Sequence, residues 1–388
     1  MKPVYMDHHA TTPVDPDVLD VMMPFFSQEF GNPSSNTHEY GHRAREAVEL
    51  ARVQIAELIA ASSPDEIVFT SGATEANNLA VKGSARSAQQ RSGRNLITLP
   101  IEHKSVLDPV ARLEKEDVNI RYCRVNQYGR IDLEHLRSLL NADTVLVSVQ
   151  AANSEIGTLQ PLTEIAAIVR QYPALFHVDA VQAAGRVPLN VYRDSIDLLS
   201  LSAHKMYGPK GVGALYVRKG LRLTPLLDGG GHERGLRSGT YNVPGIAGMG
   251  KAAELAGRNL DEHSRAMRAL QQRLWNGLLE QIKDIQLNGH PEHRLANNLN
   301  IAFTGVDGGS LVLSCPDVAL STGSACTSAS PESSYVLKAL QIPAARARCS
   351  VRFGLGKGNT QEQVDTVIDS LSRAVAGIRQ RSILPQFR

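Results

Sequence analysis

The chain has 388 residues, 42% of them hydrophobic and 21% charged, which is the composition of an ordinary soluble globular protein with a large core. Its 41 Lys and Arg residues against 39 Asp and Glu give a formal net charge of +2, which is too balanced to favour a nucleic-acid or anionic-membrane partner. No apolar run approaches the roughly 18 residues of a membrane span, the N-terminus turns polar before a signal-peptide core forms, and the four cysteines include no Cys-x-x-Cys pair. We therefore expect a cytoplasmic protein with reduced thiols, without a disulfide scaffold or structural zinc.

The first part of the chain begins with a polar segment and continues with alternating helices and strands. Residues 1 to about 40 are rich in Pro, Asn, Ser, Thr and His and are predicted to be irregular. Apolar residues at helical spacing predict an amphipathic helix over 41–59. Short apolar runs then alternate with helical patterns, which predicts a mainly parallel sheet covered by helices. The predicted strands are 66–70, 96–99, 145–149, 174–178, 198–201 and 213–217, and the helices among them are 131–140 and 162–172.

The pattern changes after a glycine cluster at residues 229–231. A long helical stretch at 250–283 is predicted to link two domains. The elements predicted after it are strands at 298–303 and 351–353 and helices at 333–340 and 361–378. The sequence therefore predicts an α/β protein with a large domain of residues 14–258 and a smaller α+β domain formed by residues 1–13 and 259–388.

Lys205 follows the apolar run Leu198–Leu201 and precedes the turn Tyr207-Gly-Pro-Lys-Gly211. In open α/β sheets, ligands bind at the carboxyl ends of the strands, where this pattern places Lys205. A buried lysine amine loses its charge readily and is then able to form a Schiff base with an aldehyde cofactor. An exposed loop lysine is the simpler alternative, and other segments of the sequence are needed to choose between the two interpretations.

Two other strand ends carry residues suited to the same cofactor. The turn at residues 71–74, Ser-Gly-Ala-Thr, enters a helix whose free amides and dipole suit a phosphate, although an ordinary helix cap is an alternative. Asp179 ends another predicted strand and is suited to hold a pyridine nitrogen protonated, or else to cap the next helix. Together with Lys205, these residues favour pyridoxal phosphate.

Cys326 lies in a loop of small residues, Ser321-Thr-Gly-Ser-Ala-Cys-Thr-Ser-Ala-Ser330. Such neighbours predict an exposed and mobile thiol rather than a packing residue. Cys123 and Cys349 are expected to be packing residues, and Cys315 is ambiguous.

One motif points to a different chemistry. His38-Glu-Tyr-Gly-His42 matches the zinc-protease pattern H-E-x-x-H, which needs both imidazoles on one face of a continuous helix. Gly41 lies inside the motif and a polar loop runs up to His38, so the helix is predicted to begin within it. A chance match is therefore favoured over a zinc site.

Taken together, these segments resemble the cysteine desulfurases, which are class-V aminotransferase-like pyridoxal-phosphate enzymes of fold type I. The resemblance covers nearly the whole chain. The matching segments are Asp7-x-x-Ala-Thr-Thr-Pro-Val-Asp15, Gly31-Asn-Pro-Ser-Ser35, Glu102-His-Lys104, Glu155-Ile-Gly157, Gly323-Ser-Ala-Cys-Thr-Ser328, Arg352-Phe353, and residues 66–75, 177–182, 202–211 and 229–240. The long loop around Cys326 is similar to that of the group that supplies iron–sulfur cluster assembly.

The resemblance implies a role for each matching position. Lys205 would carry pyridoxal 5′-phosphate, Asp179 would pair with its pyridine nitrogen, and Gln182 would bond its phenolic oxygen. His103 would stack on the ring and assist proton transfer, and Arg352, with Asn32, would bind the substrate. The phosphate would be held by Ala73, Thr74, Ser202 and His204, with Thr240 reaching in from the partner subunit of a homodimer.

Two positions depart from the family. Ser154 stands where the family has an asparagine that contacts the phenolic oxygen, so that contact is expected to weaken, to pass through water or to be taken by Asn153. Gly354 stands where the family prefers serine after Arg-Phe. Because Arg352 remains, the resemblance predicts a changed rate rather than a lost activity.

The activity that the resemblance implies is conversion of L-cysteine to L-alanine, with the sulfur held on Cys326 as a persulfide for an iron–sulfur scaffold or another acceptor protein. No resident metal is expected, although Cys326 would be able to ligate an iron–sulfur cluster transiently. The alternatives are a selenocysteine lyase or another pyridoxal-phosphate enzyme of the same fold, a sulfur-handling scaffold without catalysis, and a zinc hydrolase.

Overall fold

The computed structural model of the protein describes residues 2–88, 94–323 and 334–383; Cys326 lies outside this range. The helices are α1 (Pro16–Met22), α2 (Pro24–Ser27), α3 (Glu39–Leu58), α4 (Ala73–Ala88), α5 (Lys104–Glu114), α6 (Leu133–Leu139), α7 (Leu162–Val169), α8 (Val243–Arg258), α9 (Leu260–Gln281), α10 (Gly308–Leu313), α11 (Tyr335–Ala339), α12 (Ala344–Arg348) and α13 (Gln361–Ile383). Within these described ranges, none of the helices has both the length and the apolar character needed to cross a bilayer.

The strands form three sheets. They are β1 (Val4–Tyr5), β2 (Ile67–Thr70), β3 (Asn95–Thr98), β4 (Asn119–Tyr122), β5 (Thr144–Gln150), β6 (Leu175–Asp179), β7 (Leu198–Ser202), β8 (Gly213–Val217), β9 (Ile285–Leu287), β10 (Asn298–Phe303), β11 (Val318–Ala319) and β12 (Ser350–Gly354). The orders are β2-β8-β7-β6-β5-β3-β4 in the large sheet, β12-β10-β9 in a small one, and β1-β11 in a pair.

The large sheet is mainly parallel, which confirms the prediction. Only β8 is antiparallel to its neighbours, and the pairs from β7 through β6, β5 and β3 to β4 are parallel. Strands β7 and β8 are buried along their whole length, because helices cover both faces of such a sheet. Their mostly apolar sequences make them recognisable as buried strands.

The buried apolar side chains of the described residues form three cores. Two lie against the large sheet, one with α3 and α8 and the other with α4 and α5. In the third, Met6 packs with α9, β10, β12 and α13. We propose the division predicted above, residues 14–258 and residues 1–13 with 259–388, on this separation. Helix α11 connects the two domains of this division. It belongs to the smaller domain by sequence, but its Val336 and Leu337 pack on the core of the large sheet.

The differences from the prediction have local causes. The N-terminal segment is not wholly irregular, because Asp15 caps α1 and Pro16 occupies its first turn, a pattern that starts helices as well as turns. The stretch predicted as one helix is two, α8 and α9, which meet at Asn259. Strand β4 lies at the sheet edge and is largely exposed, so it lacks the apolar run that marked the other strands.

His177 in the centre of β6 gives the fold a specific pH dependence. Its ring is fully buried and pairs with the hydroxyls of Ser148 at 2.8 Å and Ser200 at 3.0 Å. Burial lowers the pKa of His177 to about 3. At a pH below the ordinary histidine pKa of about 6.5, His177 is protonated in the unfolded chain but stays neutral in the folded chain. The free energy of unfolding therefore falls as the pH falls.

We expect this side chain to remove about 1.4 kcal/mol of unfolding free energy per pH unit below pH 6.5, or roughly 2 kcal/mol at pH 5. Urea unfolding of wild type and His177→Gln at pH 7 and pH 5 measures the contribution, since the variant lacks this part of the slope. His42→Gln, which changes an exposed ring, is the control and should keep the wild-type slope. Equal slopes in wild type and His177→Gln would contradict the assignment.

Candidate active site

A cavity of about 500 Å³ lies at the carboxyl edge of the large sheet, a size typical of sites for small ligands. The parallel strands β5, β6 and β7 end in Gln150, Asp179 and Ser202, and all three residues line it. His9 of the N-terminal segment and Arg352 of β12 line it as well. Residues far apart in the sequence therefore meet at one sheet edge, as the strand-end argument predicts.

Lys205 lies directly after β7 in a short 3-10 turn and faces this cavity. Its Nζ donates to the carbonyl oxygens of His9 at 2.5 Å and Ala10 at 2.7 Å. The segment containing these carbonyls is held in place by Thr12, whose N–H and hydroxyl both donate to the carbonyl of His204. The lysine amine is therefore fixed by backbone groups rather than free to move on its long side chain.

Asp179 ends β6 as a buried carboxylate held by neutral donors. One oxygen accepts from Nδ2 of Asn77 at 2.8 Å, and the other accepts from the backbone N–H of Val181 at 3.1 Å. Asn77 also donates to the hydroxyl of Ser105. These contacts orient the carboxylate without neutralising it, which suits an acid that has to stabilise a cation in the cavity.

His103 caps α5 beside this group. Its Nδ1 accepts the backbone N–H of Ser105 at 3.1 Å, so a neutral ring carries its proton on Nε2. Burial lowers the pKa of His103, partly opposed by the charge of Asp179. The residue is therefore a neutral imidazole on the cavity wall.

The turn before α4 forms an open cradle. Gly72 has φ of +151°, and a Cβ atom placed on it meets nothing within 4 Å. Gly213 of β8 packs under this turn so closely that a Cβ there would lie 2.7 Å from Cα of Gly72. The first turn of α4, with Ala73 and Thr74, faces the cavity and presents helix N-terminal amides, which are suited to an anion.

His204 and Ser202 line the same cavity. Ser202 is buried, and Nδ1 of His204 lies 3.1 Å from the hydroxyl of Thr11. Burial, with the nearby Lys205 and Lys210, lowers the pKa of His204 to about 4. At neutral pH the ring is uncharged and acts through hydrogen bonds.

Arg352 enters the cavity from the small sheet and is almost fully buried. Nη2 donates to Oδ1 of Asp7 at 2.7 Å and Nη1 donates to the carbonyl of Ser154 at 3.1 Å. Among the described residues, its Nε has no hydrogen-bond partner. Burial raises the pKa of the adjacent Glu155 to about 7, so this acid does not fully offset the guanidinium at neutral pH.

Some predicted site residues have other contacts. Asn153 donates to the carbonyl of Ile101 and accepts from the N–H groups of Glu155 and Ile156, so its amide shapes a turn. Ser154 lines the cavity, whereas Asn32 and Thr240 are exposed. The predicted cofactor and substrate roles of these four residues stay predictions.

The H-E-x-x-H segment does not form a helical ligand pair. Helix α3 begins within the motif, as predicted, because His38 is its N-cap and accepts from the N–H of Gly41. Nε2 of His42 lies 2.9 Å from the carbonyl of Asn36. Within residues 2–88, 94–323 and 334–383, no three His, Cys, Asp or Glu side chains are grouped to hold a metal ion.

Comparison with known proteins agrees with this geometry. Residues 4–367 match the class-V aminotransferase family. The chain belongs to this family. Within it, the chain is 50% identical over 384 residues to cysteine desulfurase IscS of Anaeromyxobacter dehalogenans, covering 98% of this chain and 95% of that one. The IscS of Rickettsia felis is 46% identical, with 98% and 93% covered.

Solved structures extend this comparison to the fold. A NifS-like protein superposes with a TM-score of 0.90 at 38% identity, covering 97% of this chain and 100% of that one. A protein described as SspA in complex with cysteine has a TM-score of 0.81 at 36% identity, covering 91% and 98%. The class-V chain is therefore a pyridoxal-phosphate-dependent enzyme of the cysteine desulfurase group.

The cavity of this class-V enzyme fits pyridoxal 5′-phosphate in three respects. Asp179 offers a buried carboxylate to a pyridine nitrogen, the cradle at Gly72 leaves room for a phosphate, and Lys205 lines the same cavity. A second carbonyl-bound cation, Arg352, lies on the small-sheet side, where it is available to a substrate carboxylate.

Asp7 and His9 are site residues that the sequence alone does not mark. Asp7 is the first residue of a segment that matches the family, and His9 occupies one of the two variable positions of that segment. Both contacts depend on residues more than 170 positions away. The only signal available was the number of polar residues in an N-terminal segment that matches the family.

Gly354 is explained by the same N-terminal segment. Its N–H donates to the carbonyl of Met6, its carbonyl accepts from His8, and a Cβ there would lie 2.8 Å from Cδ2 of His9. We expect Gly354→Ser, which restores the residue preferred by the family, to destabilise this protein by about 1–3 kcal/mol through overpacking. The thermal unfolding midpoint measures the loss.

Gly358→Ser is the matched control, because a Cβ at Gly358 meets nothing within 4 Å. It should leave the midpoint nearly unchanged. A Gly354→Ser variant as stable as wild type would show that the N-terminal segment adjusts freely, against this account.

Proposed function

We propose that the protein converts L-cysteine to L-alanine and receives the sulfur on Cys326 as a persulfide. The observation that supports this most is the convergence of Lys205, Asp179 and Arg352 on one cavity. A lysine nucleophile, a carboxylate for a pyridine nitrogen and a guanidinium for a carboxylate are the groups that amino-acid chemistry with this cofactor requires. We propose for the remaining residues the roles that the resemblance implies.

When bound, pyridoxal 5′-phosphate would supply an electron sink for the pair left by removal of the substrate Cα proton. Lys205 would take that proton, since its amine is placed by the carbonyls of His9 and Ala10. Asp179, oriented by Asn77, would stabilise positive charge at the pyridine nitrogen. His103 would lie against the ring as a neutral imidazole whose Nε2–H donates.

The sulfur step belongs to Cys326, which lies outside the described residues. Its thiolate would attack the sulfur of the substrate, so that the Cβ–S bond breaks and an S–S bond forms. Cβ would gain a proton, and Cα would regain the proton that Lys205 had taken. The products are L-alanine and a cysteine persulfide. Burial raises the pKa of Cys123 to about 12 and raises that of Cys315, so neither of these thiols is suited to the same step.

The proposal also includes a cytoplasmic homodimer and a protein that accepts the sulfur. Thr240 is exposed outside its own cavity, and the segment before it is tied to α4 by the ion pair of Arg237 and Glu75 at 2.8 Å. An exposed Thr240 supports the idea that it serves the cavity of a second copy. The acceptor would be an iron–sulfur scaffold or another sulfur carrier.

The test is mass spectrometry of the cofactor-loaded enzyme after incubation with L-cysteine. One added sulfur atom on the peptide containing Cys326, formed with an equal amount of alanine, is expected. The Cys326→Ser variant, with an unchanged cofactor spectrum, should carry no added sulfur. Sulfur on another cysteine, or alanine formed at the wild-type rate by the variant, would exclude the proposed step, and parallel assays with selenocysteine and cystine distinguish related lyases.

A further inference from the structure

Arg186 is half-buried behind the cavity wall and does not itself line the cavity. Its Nη1 donates to Oε1 of Gln182 at 3.2 Å and to the carbonyl of Gln182 at 2.9 Å. Its Nη2 donates to the carbonyl of Lys205 at 2.9 Å and lies 3.5 Å from the carbonyl of His8. One guanidinium group therefore joins the N-terminal segment to the two segments that follow β6 and β7.

The four acceptors of this guanidinium are neutral, so none of them supplies a counter-charge. Among the described residues, Arg186 forms no ion pair with a carboxylate, and burial lowers its pKa. Its outer side lines a second cavity of about 160 Å³, in which Asp15 pairs with Lys357 and Asp17 is exposed. A cation withdrawn from water without an ion pair carries a free-energy penalty, and a bound anion is one way to offset it.

The charge of Arg186 reaches the cavity wall. His9 and His204 both line the cavity. Burial lowers the pKa of each of these rings, and the charge of Arg186 contributes to lowering both. The same charge would therefore attract an anion bound at this part of the wall.

Gln182 connects Arg186 to the cavity, which it lines. Its Oε1 accepts from Arg186 and lies 3.0 Å from Nδ1 of His9, and its Nε2 donates to the carbonyl of His9 at 3.0 Å. Flipping this amide would bring an N–H against Arg186 and an oxygen against a carbonyl, so its orientation is fixed. Both electron pairs of Oε1 are then used by the described residues, and the second N–H of Nε2 is left for a bound acceptor.

The function proposed above brings three anionic groups into the cavity. The cofactor phosphate has the cradle at Gly72, and the substrate carboxylate has Arg352. The third is the phenolic oxygen of pyridoxal 5′-phosphate, whose proposed partner is Gln182. An amide that accepts from a guanidinium at its oxygen is polarised toward donating from its nitrogen, which suits this oxygen.

We propose that Arg186 is the counter-charge of the phenolic oxygen of the cofactor and acts on it through the amide of Gln182. Arg186 is a positioning residue, since it does not reach the cavity itself. The proposal rests on the proposed function and deepens it. It assigns a role to a residue outside the segment 177–182 that resembles the family.

The test compares two forms of the cofactor on enzyme that has been freed of it. Pyridoxal 5′-phosphate carries the phenolic oxygen, and 3-deoxypyridoxal 5′-phosphate lacks it but keeps the aldehyde and the phosphate. Equilibrium dialysis measures the two dissociation constants. Arg186→Met should weaken the binding of pyridoxal 5′-phosphate about tenfold, which is the effect of one hydrogen bond to a charged group. It should leave the binding of the 3-deoxy form unchanged.

Further variants show how Arg186 acts. Arg186→Lys keeps the charge and should recover at least part of the affinity for pyridoxal 5′-phosphate. In a Gln182→Leu background, Arg186→Met should have little further effect, because residues that act as one unit are not additive. Arg170→Met is the matched control, since Arg170 is exposed, contacts Ser195 and lines neither cavity. It should bind both cofactor forms as wild type does.

Unchanged affinity of Arg186→Met for pyridoxal 5′-phosphate would overturn the proposal. So would equal weakening of both cofactor forms, which indicates only a structural role, or a full effect in the Gln182→Leu background. If the thermal midpoint shows that Arg186→Met does not fold, Arg186→Gln replaces it, because glutamine keeps a hydrogen bond and loses the charge. Wild-type turnover of L-cysteine is measured separately. If it is absent while the difference between the two cofactor forms persists, the proposed function fails and the role of Arg186 stands.

Discussion

Replacing Lys205 with alanine is expected to lower the rate of cysteine desulfuration at least about 10³-fold, because the proposed mechanism assigns to this one residue both the amine that joins the cofactor and the base for the Cα proton. Its Nζ is fixed at the cavity by the carbonyls of His9 and Ala10. The loss should appear in kcat. Alanine formation under saturating L-cysteine measures it, together with the cofactor spectrum of the variant.

Lys219→Ala is the matched control, because Lys219 follows β8 at the opposite edge of the sheet and is exposed. It should leave kcat unchanged. A Lys205→Ala enzyme that retains a tenth of the wild-type kcat would rule out this assignment, whatever its cofactor content.

Arg352→Gln should reduce kcat/KM for L-cysteine by about 10²- to 10³-fold, as expected when one partner of a buried charged pair is removed. The guanidinium is held at the cavity by Asp7 and by the carbonyl of Ser154, which fixes its orientation. Glutamine is able to keep one hydrogen bond but no charge. Steady-state kinetics measure the loss, and we expect most of it in KM.

Binding of cysteamine, which lacks the carboxylate, distinguishes loss of a contact between Arg352 and the substrate carboxylate from a change in the shape of the cavity. Its inhibition constant against L-cysteine should be the same in wild type and in Arg352→Gln. Arg348→Gln, on the exposed part of α12, is the control and should keep the wild-type kcat/KM. If cysteamine binding weakens as much as cysteine turnover, Arg352 acts on the shape of the cavity and not on the carboxylate.

The large sheet was predictable because its strands are buried on both faces. The runs at β7 and β8 are mostly apolar and are buried at every position, and turn residues bound them. Edge elements were not predictable in this way. Strand β4 is held by pairing with β3, through Asn119 and Asn95 among others, and this partner cannot be read from its own four residues.

The candidate site was predictable to the extent that strand ends mark it. Lys205 and Asp179 follow apolar runs, and their chemistry is particular enough to identify a cofactor. The contacts of His9, Asp7 and Asn77 were not predictable, because each depends on a partner brought close only by the fold. A turn-forming asparagine, such as Asn153, also looks the same in the sequence as a ligand-binding one.

The wall formed by Asp7 and Arg352 joins residues 345 positions apart along the chain. During synthesis, the strands of the large sheet emerge first, and at about 5–20 residues per second the segment reaching β12 follows on the order of ten seconds later. In that interval neither the contact of Arg352 with Asp7 nor the packing of Met6 against β12 is available. Under the proposed role of Arg352 as the ligand of the substrate carboxylate, the ability to distinguish an amino acid from other amines would be acquired only once β12 has been made.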